Sequence, residues 1–132
     1  MTTPEVLFLC VHNAGRSQMA AALTERLANG RVRVRTGGSE PAAAIHPNVT
    51  AVMAEMGIDL TSAPRRFERA DVEAADVVVT MGCGDECPYV PGKRYEDWVV
   101  DDPAGQDIET TRRIRDDIEK RVRALLASLP TG

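Results

Sequence analysis

The sequence predicts an α/β fold: a single domain over residues 1–132, built on a mostly parallel four-stranded sheet with helices on both faces. Three observations carry that prediction. Short apolar runs alternate with helix-like stretches, the pattern of βαβ units. The first run, Glu5–Cys10 (EVLFLC), is apolar on consecutive rather than alternate residues, as in a strand covered on both faces. A chain of 132 residues with 43% hydrophobic and 27% charged side chains supports one core and leaves little room for a second.

Each later element follows from its own pattern. Ser17–Asn29 (SQMAAALTERLAN) reads as a helix, with Met19, Leu23 and Leu27 at four-residue spacing and Gly30 as its stop. Arg31–Thr36 (RVRVRT) alternates valine with arginine, which predicts a second, more exposed strand turned by Gly37-Gly38. Pro47–Met56 is a helix with proline in its first turn and Gly57 at its end. A short polar helix near Asp71–Ala75 precedes the third strand, Asp76–Met81 (DVVVTM). Tyr95–Val100 (YEDWVV) is a weaker fourth strand. From Ile108 to Leu129 a long amphipathic helix carries Ile114, Ile118, Val122, Leu125 and Leu129 on one stripe.

This topology has a functional consequence. In parallel sheets the loops leaving the carboxyl ends of the strands gather on one edge, where ligands bind. Cys10 follows the first strand, Cys83 the third and Asp101-Asp102 the fourth, so these residues are expected to meet. The net charge of −4 argues against nucleic acid or an anionic membrane as partner. No apolar run approaches the roughly 18 residues of a membrane-spanning helix, and no signal-peptide pattern opens the chain. Three cysteines without an export signal fit a reducing compartment, so the expected location is the cytoplasm.

Between the first strand and helix lies Cys10-Val11-His12-Asn13-Ala14-Gly15-Arg16-Ser17, a Cys-x5-Arg-Ser segment. Backbone N–H groups of a short loop entering a helix lack helical partners and point into the loop's concavity, where the helix dipole adds positive potential. Ala14 and Gly15 are small enough for the backbone to close around a ligand, and Asn13 is a residue type that tolerates left-handed backbone. Arg16 can offer a bidentate fork to a tetrahedral oxyanion. The same field favours a thiolate at Cys10, and Ser17 is placed to donate a hydrogen bond to it. Residues 11–17 are therefore the candidate oxyanion cradle and Cys10 the candidate nucleophile; the competing reading is a buried structural thiol. His12, with no second histidine nearby, reads as a loop residue rather than a base.

This segment resembles the phosphate loop of low-molecular-weight protein tyrosine phosphatases and their relatives, the thioredoxin-coupled arsenate reductases. The resemblance spans Glu5 to the last helix and implies that family's fold. It further implies that Cys10 is the nucleophile, that Arg16 binds the oxyanion, and that the aspartate of an Asp-Pro pair is the general acid. Asp102-Pro103 in DDPAG matches that pair. Proline biases the residue before it toward an extended conformation, so the Asp102 carboxyl is aimed in one direction and can hand a proton to a leaving oxygen. Asp101 is the competitor, less constrained because it precedes another aspartate.

A phosphatase of this kind needs one cysteine; here Cys83 and Cys87 follow in TMGCGDECPYVPG. Fully extended, their separation is roughly 13 Å, beyond the about 7 Å between Cα atoms that a disulfide allows. A turn eased by Gly82 and Gly84 would close it. The resemblance to the reductases implies a relay in which Cys83 attacks Cys10, Cys87 attacks Cys83, and thioredoxin reduces the outer disulfide. The segment GCGDECP also resembles reductases of actinobacterial type, some of which use a low-molecular-weight thiol such as mycothiol, so a mycoredoxin-like donor stays open. The implied substrate is arsenate, with phosphate and sulfate as competing anions. No bound cofactor or metal is expected, and Ala21, where some relatives carry a glutamate linked to potassium binding, predicts no potassium site.

Two alternatives remain. A tyrosine phosphatase is disfavoured by the aromatic content of 4% and by the small Ala104-Gly105 after Pro103; Trp98 falls inside a strand candidate and is expected in the core. A zinc or metalloid sensor acting through Cys83 and Cys87 is disfavoured because structural zinc usually takes four Cys or His ligands. Three cysteines, with His12 and His46 in unrelated segments, barely supply them.

Overall fold

A computed structural model of the chain describes residues 3–82 and 89–129. Strands β1 (Glu5–Cys10), β2 (Arg33–Gly38), β3 (Val77–Met81) and β4 (Arg94–Asp97) form one sheet in the order β2-β1-β3-β4, with every pair parallel. Helices α1 (Arg16–Ala28), α2 (Pro47–Ala54), α3 (Arg69–Ala74) and α4 (Ile108–Ser128) cover it. The expected "mostly parallel" sheet is thus wholly parallel.

The side-chain alternation of β1 divides two cores. Val6, Phe8 and Cys10 pack with residues of α1, α2 and α4, including Met19, Leu23, Val52, Ile114, Ile118 and Val122. Leu7 and Leu9 face the opposite way, onto Val72, Ala75 and Val78 near α3. All of β1 is buried because it is central and covered on both sides, which is why its run is continuously apolar. The stripe read on the last helix is the buried one at Ile114, Ile118, Val122 and Leu125, while Leu129 packs at its margin. Trp98 is in the core, its ring 5.7 Å from that of Phe8.

Several boundaries differ from expectation for physical reasons. The second strand is not Arg31–Thr36 but runs through Gly37 and Gly38, which are strand rather than turn. Gly37 and Gly38 pair with Leu9 and Cys10 of β1, and on the outer side Gly38 bridges residues 65–67, its N donating to Arg65 O at 2.9 Å and its O accepting from Phe67 N at 3.2 Å. The fourth strand begins at Arg94 and stops at Asp97 instead of reaching Val100; its last link to β3 is the bond from Trp98 N to Thr80 O at 2.8 Å. α2 ends at Ala54 rather than Met56, where a tighter bond from Met56 N to Met53 O, 3.0 Å, closes the turn.

The register places Cys10 opposite Gly38 on one neighbour and Met81 on the other. These strands therefore end flush, and their outgoing loops share one edge.

Candidate active site

The Cys10–Ser17 loop is built so that its carbonyls face outward. Val11 O accepts from Glu40 N at 2.8 Å, His12 O from Ala42 N at 3.0 Å, and Ala14 O from His46 N at 3.0 Å. With those carbonyls held by the surrounding chain, the loop amides are left for its concavity. Asn13 N points there and donates to Cys10 Sγ at 3.2 Å. Asn13 has the left-handed backbone anticipated for it, with φ 51°. Cys10 itself is a free thiol, 2% exposed, at the floor of the loop.

Ser17 Oγ lies 2.9 Å from Cys10 Sγ, a hydrogen bond in which either atom can donate. Arg65 N donates to Asn13 Oδ1 at 3.0 Å, which fixes the amide so that Nδ2 donates to Ser17 Oγ at 2.7 Å and to Thr36 Oγ1 at 2.7 Å. Ser17 Oγ thus accepts from Asn13 while also contacting the Cys10 sulfur. Gln18 Nε2 fastens the same loop through Asn13 O at 3.1 Å and Ser62 O at 3.2 Å. Arg65 is in turn anchored by Asp71, Nη2 to Oδ2 at 2.8 Å. Burial works to raise the Asp71 carboxyl, but the Glu68 amide and the Arg65 guanidinium outweigh it and hold it below the usual carboxylate range.

Close backbone approach packs the cradle from three sides. A Cβ added at Gly38 would lie 2.5 Å from Val11 O, and one at Gly15 2.7 Å from Pro103 Cγ. One at Gly82 would meet Arg16 Nη1 at 2.6 Å, so the chain passes the guanidinium one residue before Cys83. Arg16 Nη2 lies 3.8 Å from Asp102 Oδ2, with the two side chains 11% and 47% exposed. Asp102 Oδ1 accepts from Ala104 N at 3.0 Å, which closes its own turn. Asp102, far from Cys10 and Arg16 in sequence, thus shares one edge of the sheet with them. His12 is exposed, with Nδ1 3.0 Å from Glu40 O. Asp101 is exposed beside Asp102. Cys83 and Cys87 lie outside the described residues.

A cleft of about 260 Å³ opens behind the loop, lined by Gln18, Ala21, Thr36, Ser62, Arg65 and Asp71 among others. On its wall the guanidinium groups of Arg35 and Arg65 both reach Asp71.

The profile of the low molecular weight phosphotyrosine protein phosphatase family matches residues 5–131. The chain belongs to this family. Within the family it is similar to proteins named as arsenate reductases. The thioredoxin-dependent arsenate reductase of Corynebacterium glutamicum is 44% identical with a TM-score of 0.85; the match covers 95% of this chain but 61% of that longer one. A glutaredoxin arsenate reductase of Synechocystis is 37% identical, covering 95% of this chain and 98% of its own. A solved arsenate reductase in a phosphate-binding state is 33% identical, with a TM-score of 0.84 and coverage of 96% and 99%.

Several residues that shape this family site were not singled out from the sequence: Gly38, Thr36, Gln18 and the Arg65–Asp71 pair. Gly38 had a signal, the Gly-Gly pair closing a strand, but it reads equally well as a turn. The others carry no motif, because their roles arise from contacts between segments distant in sequence.

Proposed function

We propose that this chain is an arsenate reductase working by thiol chemistry, with Cys10 as nucleophile, Arg16 as oxyanion ligand and Asp102 as general acid. The observation that carries the reading is the doubly hydrogen-bonded Cys10 sulfur in a cradle with Arg16 and Asp102 at its edge. Residues Val11 to Ser17 supply the amides, guanidinium and hydroxyl that would grip the tetrahedral anion. Two further cysteines in the same chain provide the electrons that a phosphatase has no use for.

The reaction balances as follows. Cys10 Sγ forms a bond to arsenic(V), and one arsenate oxygen departs as water with a proton from Asp102. Cys83 then attacks Cys10 Sγ; the electron pair of the sulfur–arsenic bond stays on arsenic, which leaves as arsenite(III), and a Cys10–Cys83 disulfide forms. Cys87 attacks Cys83, releases Cys10 as thiolate and moves the disulfide to Cys83–Cys87. Thioredoxin, or a low-molecular-weight thiol with its own redoxin, reduces that pair. Electrons arrive as thiols, so the chemistry calls for no resident flavin, nicotinamide or metal. The reading assigns a reducing compartment such as the cytoplasm; among the described residues no helix is long and apolar enough to cross a membrane.

The test supplies thioredoxin, thioredoxin reductase and NADPH and follows NADPH loss on adding arsenate. Turnover is expected for the wild type and none for Cys10→Ser. Cys87→Ser is expected to stop after one turnover with Cys10 and Cys83 joined, as peptide mapping would reveal. Normal cycling of Cys87→Ser overturns the relay, and phosphate-ester hydrolysis outrunning arsenate reduction overturns the substrate.

A further inference from the structure

Asp102 is poorly held by its own surroundings. Its side chain is 47% exposed, its ion-pair contact with Arg16 spans 3.8 Å, and among the described residues its one hydrogen bond is to its own turn. Something else must set the distance between that turn and the phosphate loop. The first turn of α2 does so. Its N-cap residue, His46, donates its amide to Ala14 O of the phosphate loop at 3.0 Å. Two residues on, Asn48 Nδ2 donates to Pro103 O at 2.8 Å and to Thr111 Oγ1 on α4 at 2.9 Å, with Gln106 O at 3.4 Å. Thr111 sends its own proton to Asp107 O at 2.7 Å, so every group facing Nδ2 is an acceptor and the amide has one orientation. Pro103 is buried against Gly15, which leaves its carbonyl as the handle by which this turn is gripped.

We infer that Asn48 is a positioning residue for the reaction: it ties the Asp102-Pro103 turn and α4 to the first turn of α2, which the His46 amide in turn fastens to the phosphate loop, and thereby holds Asp102 over the cradle. The inference rests on reading Asp102 as the proton donor. Asn48 touches neither sulfur nor arginine, so its loss should spare nucleophile and anion binding while slowing proton delivery. A general acid contributes about 10²–10⁴-fold, and a misplacement of about 1 Å can cost about 100-fold.

The experiment is single-turnover release of arsenite by the fully reduced protein, without added reductant. Asn48→Ala is expected to slow release by about 10-fold or more, while arsenate affinity and the rate of Cys10 alkylation by iodoacetamide change by less than about twofold. Asn48→Asp keeps the shape but has no donor, and is expected to be at least as slow; it also serves if the alanine variant fails to fold. The deciding measurement is a double-mutant cycle. In an Asp102→Asn background, Asn48→Ala should slow release no further, whereas a purely structural residue would slow both backgrounds by the same factor. Equal slowing in both backgrounds, or wild-type release by Asn48→Asp, overturns the inference. A wild-type rate for Asp102→Asn alone removes the acid assignment itself, and the inference with it.

Discussion

The phosphate loop and the Asp102-Pro103 turn face each other across the site yet are built on opposite plans. In the first, Asn13, Ala14 and Ser17 are wholly buried, and hydrogen bonds reach in from β2, α1, α2 and residues 62–65. In the second, Asp102, Ala104, Gly105 and Gln106 are exposed and only Pro103 is buried. A nucleophile and its oxyanion ligands must be in place before substrate arrives, because their effect depends on dipoles that do not reorganise. An acid that follows a changing substrate through bond formation needs one well-placed anchor and freedom beyond it. The contrast is between a loop held by many buried hydrogen bonds and a turn held, among the described residues, by the Asn48 bridge, the Gly15–Pro103 contact and one ion pair.

That contrast can be broken from either side. The largest effect is expected from Arg16→Ala, which removes the fork from the cradle: a loss of about 10²–10³-fold in kcat/KM for arsenate, with Arg16→Lys recovering only part because an ammonium is not bidentate. Steady-state kinetics of both variants check it; equal activity of Lys and Arg at position 16 would show that charge alone suffices. Next comes Gly38→Ala, whose new Cβ would meet the backbone at Val11 O and Asn13 N. Backbone cannot swing aside, so a stability loss of about 1–3 kcal/mol is expected together with poor activity, read by thermal unfolding and turnover.

Gly15→Ala sharpens the comparison because its new Cβ meets the Pro103 ring, which can move with its turn. Expected are a smaller fall in melting temperature than for Gly38→Ala, unchanged Cys10 alkylation, and a kcat lowered by about 10-fold as the acid is displaced. A melting temperature falling as far as that of Gly38→Ala would show that the turn is as rigid as the cradle.

The smallest effect lies at the far end of α2, where Glu55 pairs with Arg112 and Arg115 of α4. The Arg112 hydrogen bond, assisted by Arg115, pulls the Glu55 carboxyl from 4.5 down to about 2. A carboxyl lowered on folding adds stability above its unfolded value and loses it as the pH falls toward its folded one. The melting temperature of the wild type should therefore drop slightly more steeply than that of Glu55→Gln between pH 4.5 and 2. Parallel curves would mean the pair is too well solvated to matter.

The central strand, its terminal cysteine and the stripe of α4 were legible because each is a local pattern: a continuous apolar run, a loop entering a helix, a helical period. The Asp102-Pro103 pair was legible as a motif, and its place after the fourth strand followed from parallel topology. The edge strand was misjudged at both ends since its limits are set by its register with β1 and, at Gly38, by residues 65–67, which are contacts between distant segments. Likewise, nothing in the order of residues says that Arg65 N orients Asn13, or that Asn48 grips Pro103 O. The sequence by itself determined which chemical groups stand at the mouth of the sheet, because strand direction and hydrophobic period are short-range properties. Only the tertiary structure decided how those groups are aimed, because hydrogen-bond direction and close approach depend on partners that meet solely in the folded chain.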